Sequence, residues 1–592
     1  MRLRLLLDDL RDLPMFLRMG SALRQASADG RETLGVLIRQ QAERMSERVL
    51  LRFENEIVTY GEYNSGVNAF AAVFAQGGIS RGETVALMME NSPALLMAQG
   101  AAAKLGAVAA LINTHLSGPP LSHVLKTSQA RHLFVDEVCL PKIIDLPEAV
   151  TLTLWSQGPS GSLPPHVEPL DAALAAAPRS EPAIPDLRGR DVLLYIYTSG
   201  TTGYPKAAII RHTRFTMAGL GLSALLGVQA DDVIYAPLPL YHGESNFVGF
   251  SVAIRAGGCF ASRRRFSAGE LLDDVRRHQA TAFVYVGELC RYLLNQPPSP
   301  DDRNHNLRLA VGAGLRPDIW SSFQERFGIA RIVEMYGATE GNVSLMNRTG
   351  RVGSVGRAHP FQHHLIRLAR YDFAKGELVR DSRGRLIECA VDEPGELLGK
   401  VVRGGTMPFD GYTDAAANEA KLVRDAFKKG DAYFRTGDIL RRDKDFYYYF
   451  VDRVGDTFRW KGENVATQEV AELLNAAPGI AETNVYGVDL PPFEGRAGMA
   501  AVVVLPGRPF DPTSFYAHAE QLPAYARPVF VRLVATMDVT GTLKQRKLEL
   551  QREGYDPSAI RDPLYLRDDV RKLYVPLTLQ GLEQIRAGTL RL

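Results

Sequence analysis

At 592 residues the chain exceeds what one hydrophobic core can organise, so a large, subdivided domain with a smaller partner is expected. Hydrophobic residues at 46% and charged residues at 23% are ordinary for a globular chain and argue against intrinsic disorder. With 69 basic and 67 acidic residues the net charge is +2, which excludes a global field that draws DNA, RNA or an anionic bilayer, so any anion binding must be local.

Residues 1–30 read as a leader. Arg2 and Arg4 flank a leucine cluster, but Asp8, Asp9 and Asp12 interrupt it before a signal-peptide core is long enough, so export is not expected. Leu10, Leu13, Phe16, Leu17 and Leu23 alternate with Arg11, Arg18 and Arg24, the pattern of an amphipathic helix that either docks on its own protein or lies on the inner face of a membrane. The apolar stretch 95–112 contains Lys104 and several small residues at helical spacing, which predicts a buried helix and not a membrane span. Cys139, Cys259, Cys290 and Cys389 are too scattered for a zinc site or a disulfide framework and suit a reducing cytoplasm.

Short β-rich runs such as 84–88 and 132–135 alternate with helical segments, the rhythm of βα units around a parallel sheet. The stretch 155–185, rich in Pro, Ser, Gly and Ala, reads as a surface connection between subdomains. Three further β-rich runs, 192–197, 307–311 and 331–335, each lead into a small or polar turn: TSGTTG, GAG and YGATEG. Loops after strand C-termini line the ligand crevice of open α/β sheets, so these three are expected to converge. The character changes again at 452–456, beyond which a helix at 467–476 and strands at 482–488 and 499–505 form a separate α/β unit.

The strongest local signal is YIYTSGTTGYPKAA. Thr198, Ser199, Thr201 and Thr202 supply hydroxyl donors, Gly200 and Gly203 permit close backbone approach to an anion, and Lys206 adds positive charge. The loop is suited to a polyphosphate but is not a Walker A sequence, which requires Gly-Lys-Ser/Thr at its end. In YGATEG, Tyr336 can lie against a purine beside Gly337 and Ala338, Thr339 can donate to a phosphate, and Glu340 offers a hard oxygen to magnesium. Gly312, Ala313 and Gly314 form either a bulk-free face for a purine or a tight strand-to-loop turn. Asp438 is suited to accept two ribose hydroxyls, with Arg453 nearby. His242 in PLPLYHGES is open to a structural or a functional reading, Arg263–Arg264–Arg265 to a solvated edge or a phosphate contact, and Tyr447–Tyr448–Tyr449 to core and surface positions alternating along a strand.

TSGTTGYPK, EMYGATEGN at 334–342, YFRTGD at 433–438, VDRVGDTFRWKGEN at 451–464 and TGTLKQRK at 540–547 together resemble the adenylate-forming superfamily of acyl-CoA synthetases, luciferase and peptide-synthetase adenylation domains. YVGELCRYLLN, PFDGY, FKKGDAYFRTGD and the closing DPLYLRDDVRKLYVPL are similar to its fatty acid transport protein, or very-long-chain acyl-CoA synthetase, branch, and the likeness runs from about residue 35 to the end. The resemblance implies an α/β fold with a large N-terminal domain (31–452) of subdomains built on β-sheets flanked by helices, a hinge at 453–456, and a small mobile α/β C-terminal domain (457–592). It implies ATP, Mg2+ and coenzyme A as partners, with a fatty acid as substrate, while the balanced charge argues against nucleic acid and the scattered cysteines suit a cytoplasmic location. Lys544 matches the family's catalytic lysine, His242 the side chain beside the reacting carboxylate, and Gly455 the hinge position, where many relatives carry Asp or Lys. After rotation of the small domain, Lys461, Gly462 and Glu463 are expected to line the path of the CoA thiol. Alternatives within the same motifs are a CoA ligase for a bile, carnitine-like or aryl acid, a fatty acyl-AMP ligase, and a non-catalytic fatty-acid uptake or binding protein.

Overall fold

A computed structural model describes residues 27–158, 163–198, 204–338, 341–358, 362–373, 375–402, 409–491, 493, 495–540 and 545–586. Four sheets, of fifteen, seven, five and two strands, organise these residues.

The seven-stranded sheet runs from edge to edge as Val167–Pro169, Thr153–Ser156, His132–Val135, Thr84–Met88, Val108–Leu111, Val192–Thr198 and Lys206–Arg211. Every neighbouring pair is parallel except the last, which is a hairpin. Two of these strands correct the expectation that 155–185 connects subdomains. Val167–Pro169 adds an edge strand to the same sheet, and the following helix, Leu170–Ala176, sinks Leu170 into the main core. Proline is tolerated there because an edge strand has no outer ladder to feed.

The apolar stretch after residue 92 shows how local rules act. Ser92 caps a helix by accepting from Leu95 N, Pro93 opens it, and Gly106 at φ +73 closes it, so the helix is Pro93–Leu105 and Val108–Leu111 is a separate buried strand, which corrects the single helix expected over 95–112. Burial of Leu95 and Leu96 contributes on the order of 1.5–3 kcal/mol each. Lys104 is fully buried in that helix, where desolvation lowers its pKa, and its ammonium donates to Asn64, Asn68 and Glu181, the last at 2.5 Å. Among the described residues no helix is long and apolar enough to cross a membrane.

The fifteen-stranded sheet has two characters. From Val49–Phe53 through Cys259–Ser262, Val233–Tyr235, Ala282–Val286 and Leu309–Ala313 to Arg331–Gly337 the strands are parallel. Beyond that strand, Ser344–Asn347, Gly356–Arg357, Tyr447–Arg453, Ala432–Arg442, Gly395–Lys400 and Ile366–Asp372 pair antiparallel. Helices Leu34–Met45, Tyr60–Gln76, Pro93–Leu105 and His212–Leu226 contribute to the main apolar core along with strands of both large sheets. Tyr447 and Tyr448 do not alternate between core and surface as expected. Both are buried, Tyr448 in an apolar cluster and Tyr447 beneath the Arg351 guanidinium, with its hydroxyl 2.9 Å from Thr349 Oγ1.

After Arg453 the chain forms the two-stranded hairpin Phe458–Trp460 and Glu463–Val465, then helix Thr467–Asn475 and the five-stranded sheet beginning with Ile480–Asp489 and Arg496–Val504. Trp460, Tyr486, Met499, Phe530 and Tyr574 belong to a core of this unit's own.

Candidate active site

The TSGTTG loop is set by a hairpin. Leu193, Leu194 and Ile196 anchor strand Val192–Thr198 in the interior, and its return strand begins at Lys206, which pairs with Thr198. Strand Val192–Thr198 thereby ends at the rim where α/β sheets bind ligands. Ser199, Gly200, Thr201, Thr202 and Gly203 lie outside the described residues. The return strand is stitched to the PFDGY motif: Ile209 N donates to Gly411 O, Ala208 bridges Tyr412, and Arg211 Nε donates to Asp410 Oδ1 at 2.6 Å. The sequence marked PFDGY as a family signature without showing this bracing role.

The GAG run differs from expectation in detail. Gly312 and Ala313 finish strand Leu309–Ala313, and only Gly314, at φ +84, makes the turn. A Cβ on Gly312 would stand 2.1 Å from Tyr285 O, so close packing of the neighbouring strand requires that glycine. Behind the turn sits Glu334, which sequence reasoning missed. It is buried, accepts from Gly314 N and from Leu315 N at 3.1 Å, and receives the Tyr285 hydroxyl at 2.7 Å. Burial pushes its carboxyl up to about 8. The available signal was a glutamate inside the apolar run IVEMY, because a buried carboxyl is seldom without partners.

Two residues farther along the strand that bears Glu334, Tyr336 donates its hydroxyl to Asp438 Oδ2 at 2.6 Å, although the two are 102 residues apart in the chain. Burial first, and then the Asp438 charge, hold the Tyr336 hydroxyl well above its ordinary range, so it remains a donor. Asp438 faces Arg453 in register, with Arg453 Nε 3.6 Å from Oδ1, and Thr436 Oγ1 receives the Asp438 N–H. Both carboxylate oxygens keep lone pairs for further donors. Arg214, on the helix that follows the TSGTTG hairpin, donates to Ala338 O at 2.8 Å and so ties the first motif to the third. Gly337 is the last residue of its strand; Thr339 and Glu340 lie outside the described residues.

Beneath Asp438, Glu396 is fully buried and grips Arg435 through both carboxylate oxygens, at 3.0 and 2.6 Å, while accepting from Gly437 N at 3.3 Å. This pair fixes the RTGD turn. Glu396→Ala leaves Arg435 without its counter-charge and is expected to lower stability by about 3 kcal/mol, read as a shift of the urea denaturation midpoint.

At the expected hinge, Gly455 has φ +95, with open space where a side chain would stand. Asp452, just before it, is buried and accepts from Thr467 N at 2.6 Å and from the hydroxyls of Thr467 and Thr457. Lys547 donates to Thr467 Oγ1 at 2.6 Å and pairs with Asp456 at 3.2 Å. Lys544 lies outside the described residues, but its flank Gln545 donates to Glu482 at 2.6 Å. Burial, then the neighbouring Glu288, push the Glu482 carboxyl up to about 7 against the opposing pull of Arg291 and Arg316. That face of the small unit is therefore turned toward the large one, whereas Lys461, Gly462 and Glu463 form an exposed hairpin tip. Gly462 is thus not brought to the Tyr336–Asp438–Arg453 group.

The sequence matches the AMP-binding enzyme model over residues 38–412 and the AMP-binding enzyme C-terminal domain model over residues 469–544. The chain belongs to the AMP-binding enzyme family. It is 40% identical over 554 residues to long-chain fatty acid transport protein 6 of Mus musculus, covering 92% of this chain and 89% of that protein. It is 39% identical over 589 residues to a medium/long-chain-fatty-acid–CoA ligase of Mycobacterium tuberculosis, covering 98% and 95%. The fold resembles that of the anthranilate CoA ligase AuaEII bound to anthranoyl-AMP, with a TM-score of 0.74 at 22% identity, over 88% of this chain and 97% of that one.

Within this AMP-binding enzyme, His242 precedes a π-helical turn, Glu244–Phe250; its N–H donates to Pro239 O, and its ring lies 4.7 Å from that of Tyr241. Inserted π turns widen a helix and recur beside functional sites. Asn246 on that turn exchanges two hydrogen bonds with Gln99, at 3.1 and 2.8 Å, both buried. Arg263 and Arg265 are engaged in ion pairs, with Asp274 and Glu270 for the first and Glu90 for the second. Among the described residues there is no group of three or more His, Cys, Asp or Glu side chains able to hold a metal ion. A magnesium ion that keeps phosphate oxygens and waters needs only one or two carboxylates, and Glu340 remains the candidate.

Proposed function

We propose that this AMP-binding enzyme is an AMP-forming fatty acid–CoA ligase, activating a long- or very-long-chain fatty acid through an acyl-adenylate. The observation that carries the reading is the Asp438 carboxylate, held by Tyr336 and faced by Arg453, on a strand edge tied through Arg214 to the TSGTTG hairpin. Such a carboxylate suits both hydroxyls of a ribose, and Gly314 and Tyr336 leave a flat seat for the base. The fatty-acid names of relatives at about 40% identity over most of the chain support the choice of acid.

In the first step a carboxylate oxygen attacks the α-phosphorus of ATP, the bond to the β-phosphate oxygen breaks, and pyrophosphate leaves. Thr198, Ser199, Gly200, Thr201, Thr202, Gly203 and Lys206 cradle the leaving phosphates, Thr339 donates to the α-phosphate, and Lys544 opposes the charge that develops there. Glu340 would hold the magnesium that accompanies ATP, an ion that would neutralise phosphate charge there. In the second step the CoA thiol, losing its proton to solvent, attacks the acyl carbonyl and AMP departs. His242 packs beside that carbonyl. Rotation about Gly455 exchanges the Lys544 segment for the hairpin bearing Gly462, so each half-reaction has its own surroundings.

ATP–pyrophosphate exchange with acids from acetate to very long chains, with aryl and bile acids alongside, tests this reading. Exchange is expected only with the longer fatty acids, and CoA is expected to convert the adenylate to thioester. Exchange with none of them sinks the proposal; preference for an aryl or bile acid replaces the substrate while keeping the chemistry.

A further inference from the structure

Glu334 and Tyr336 stand two residues apart on strand Arg331–Gly337, so they face the same side of the sheet. Tyr336 reaches the proposed ribose acceptor, and Glu334 reaches the turn proposed to cover the base. A single strand therefore carries the supports of both halves of the nucleoside seat. The register places Glu334 opposite Gly312, and the lack of a side chain at Gly312 lets Tyr285 close in with its hydroxyl on Glu334. Gly314 and Leu315 point successive backbone N–H groups at one oxygen of the same carboxyl. Gly314 has a left-handed backbone, a conformation glycine adopts without penalty, so the residue itself does little to confine the turn, which is held by the Glu334 clamp on its N–H side and by Gly287 packed against its carbonyl.

We infer that Glu334 is a positioning residue for the nucleotide: it fixes the height of the turn at Gly314 and Leu315 above the purine seat through two backbone N–H groups, with Tyr285 holding the carboxyl in place. The inference rests on the ATP-binding reading above. A side chain that only filled the core would act differently, since its removal would lower stability without favouring one substrate over another. A positioning residue shifts ATP affinity selectively, and an isosteric acceptor restores it.

The test uses the full-length enzyme. Glu334→Leu, Glu334→Gln and Tyr285→Phe are compared with wild type for KM of ATP, KM of the fatty acid, kcat and thermal denaturation. Glu334→Leu removes both acceptors at similar volume and is expected to raise KM for ATP about tenfold, or roughly 1.4 kcal/mol, with KM for the fatty acid and kcat at saturating ATP within about threefold. Glu334→Gln keeps a carbonyl oxygen for the two N–H groups and is expected to recover most of the lost ATP affinity. Tyr285→Phe removes the support without emptying the site, is expected to raise KM for ATP about threefold, and decides the question if Glu334→Leu fails to fold. An unchanged KM for ATP in the folded variants, or equal rises in both KM values, overturns the inference. Wild-type protein that exchanges no pyrophosphate with any acid overturns the underlying ATP reading instead, so the two failures are distinct.

Discussion

Lys544→Ala is expected to lower fatty-acid-dependent pyrophosphate release by a factor of about 100 to 1,000 while leaving conversion of supplied acyl-AMP and CoA to acyl-CoA largely intact. Adenylation forces an anionic carboxylate against an anionic phosphate, and a fixed cation there stabilises charge present in the transition state more than in either ground state. The second step starts from a neutral acyl carbonyl and has no such need. The flanks of the lysine are well anchored: Val539 bridges Gln545, Arg546 N donates to Asp538 O, and Lys547 is tied to Thr467 and Asp456. The alanine variant therefore removes a charge while leaving these flanking contacts in place. Parallel loss of both half-reactions, measured as pyrophosphate release and as thioester formation from synthetic acyl-AMP, would assign Lys544 another role.

The second large effect is expected at Asp438. Asp438→Asn should raise KM for ATP about 10- to 100-fold, as loss of a charged hydrogen bond of roughly 1.5–3 kcal/mol would, and leave KM for the fatty acid near its wild-type value. The amide keeps one acceptor oxygen for the Tyr336 hydroxyl and the two ribose hydroxyls of the proposed complex, and its NH2 group would turn a donor toward Arg453 or the sugar. Tyr336→Phe, which removes only the support, should move KM for ATP in the same direction by less. An Asp438→Asn enzyme with unaltered ATP dependence would displace the ribose from this carboxylate and with it the proposed seat.

Much of the framework was legible in short stretches. The apolar run at 192–197 leading into TSGTTG reads as a strand feeding a ligand loop, and a buried helix was legible after residue 92, although the expected span of 95–112 ran past Gly106 into a separate strand. The separate unit beyond 456 was visible as a fresh set of apolar residues, which do form a core of their own. Two further readings failed for local reasons. The Pro- and Ser-rich stretch 155–185 hides an edge strand only three residues long, too short to show a period. Tyr447 and Tyr448 are both buried because a cation covers one of them, and period-two alternation does not anticipate that.

Sequence alone determined which chemical groups are present and the local elements that bear them: a hydroxyl-rich loop after a buried strand, an acidic residue in RTGD, a glycine at the expected hinge. Only tertiary structure decided who meets whom. Tyr336 finds Asp438, Arg435 finds Glu396 and Glu334 clamps the turn after Gly312, each across tens of residues. The reason is physical. Backbone preference and capping act within a few residues and leave a mark in the string of letters, whereas a buried carboxyl is stable only if distant donors reach it, and the packing of whole sheets sets which donors those are.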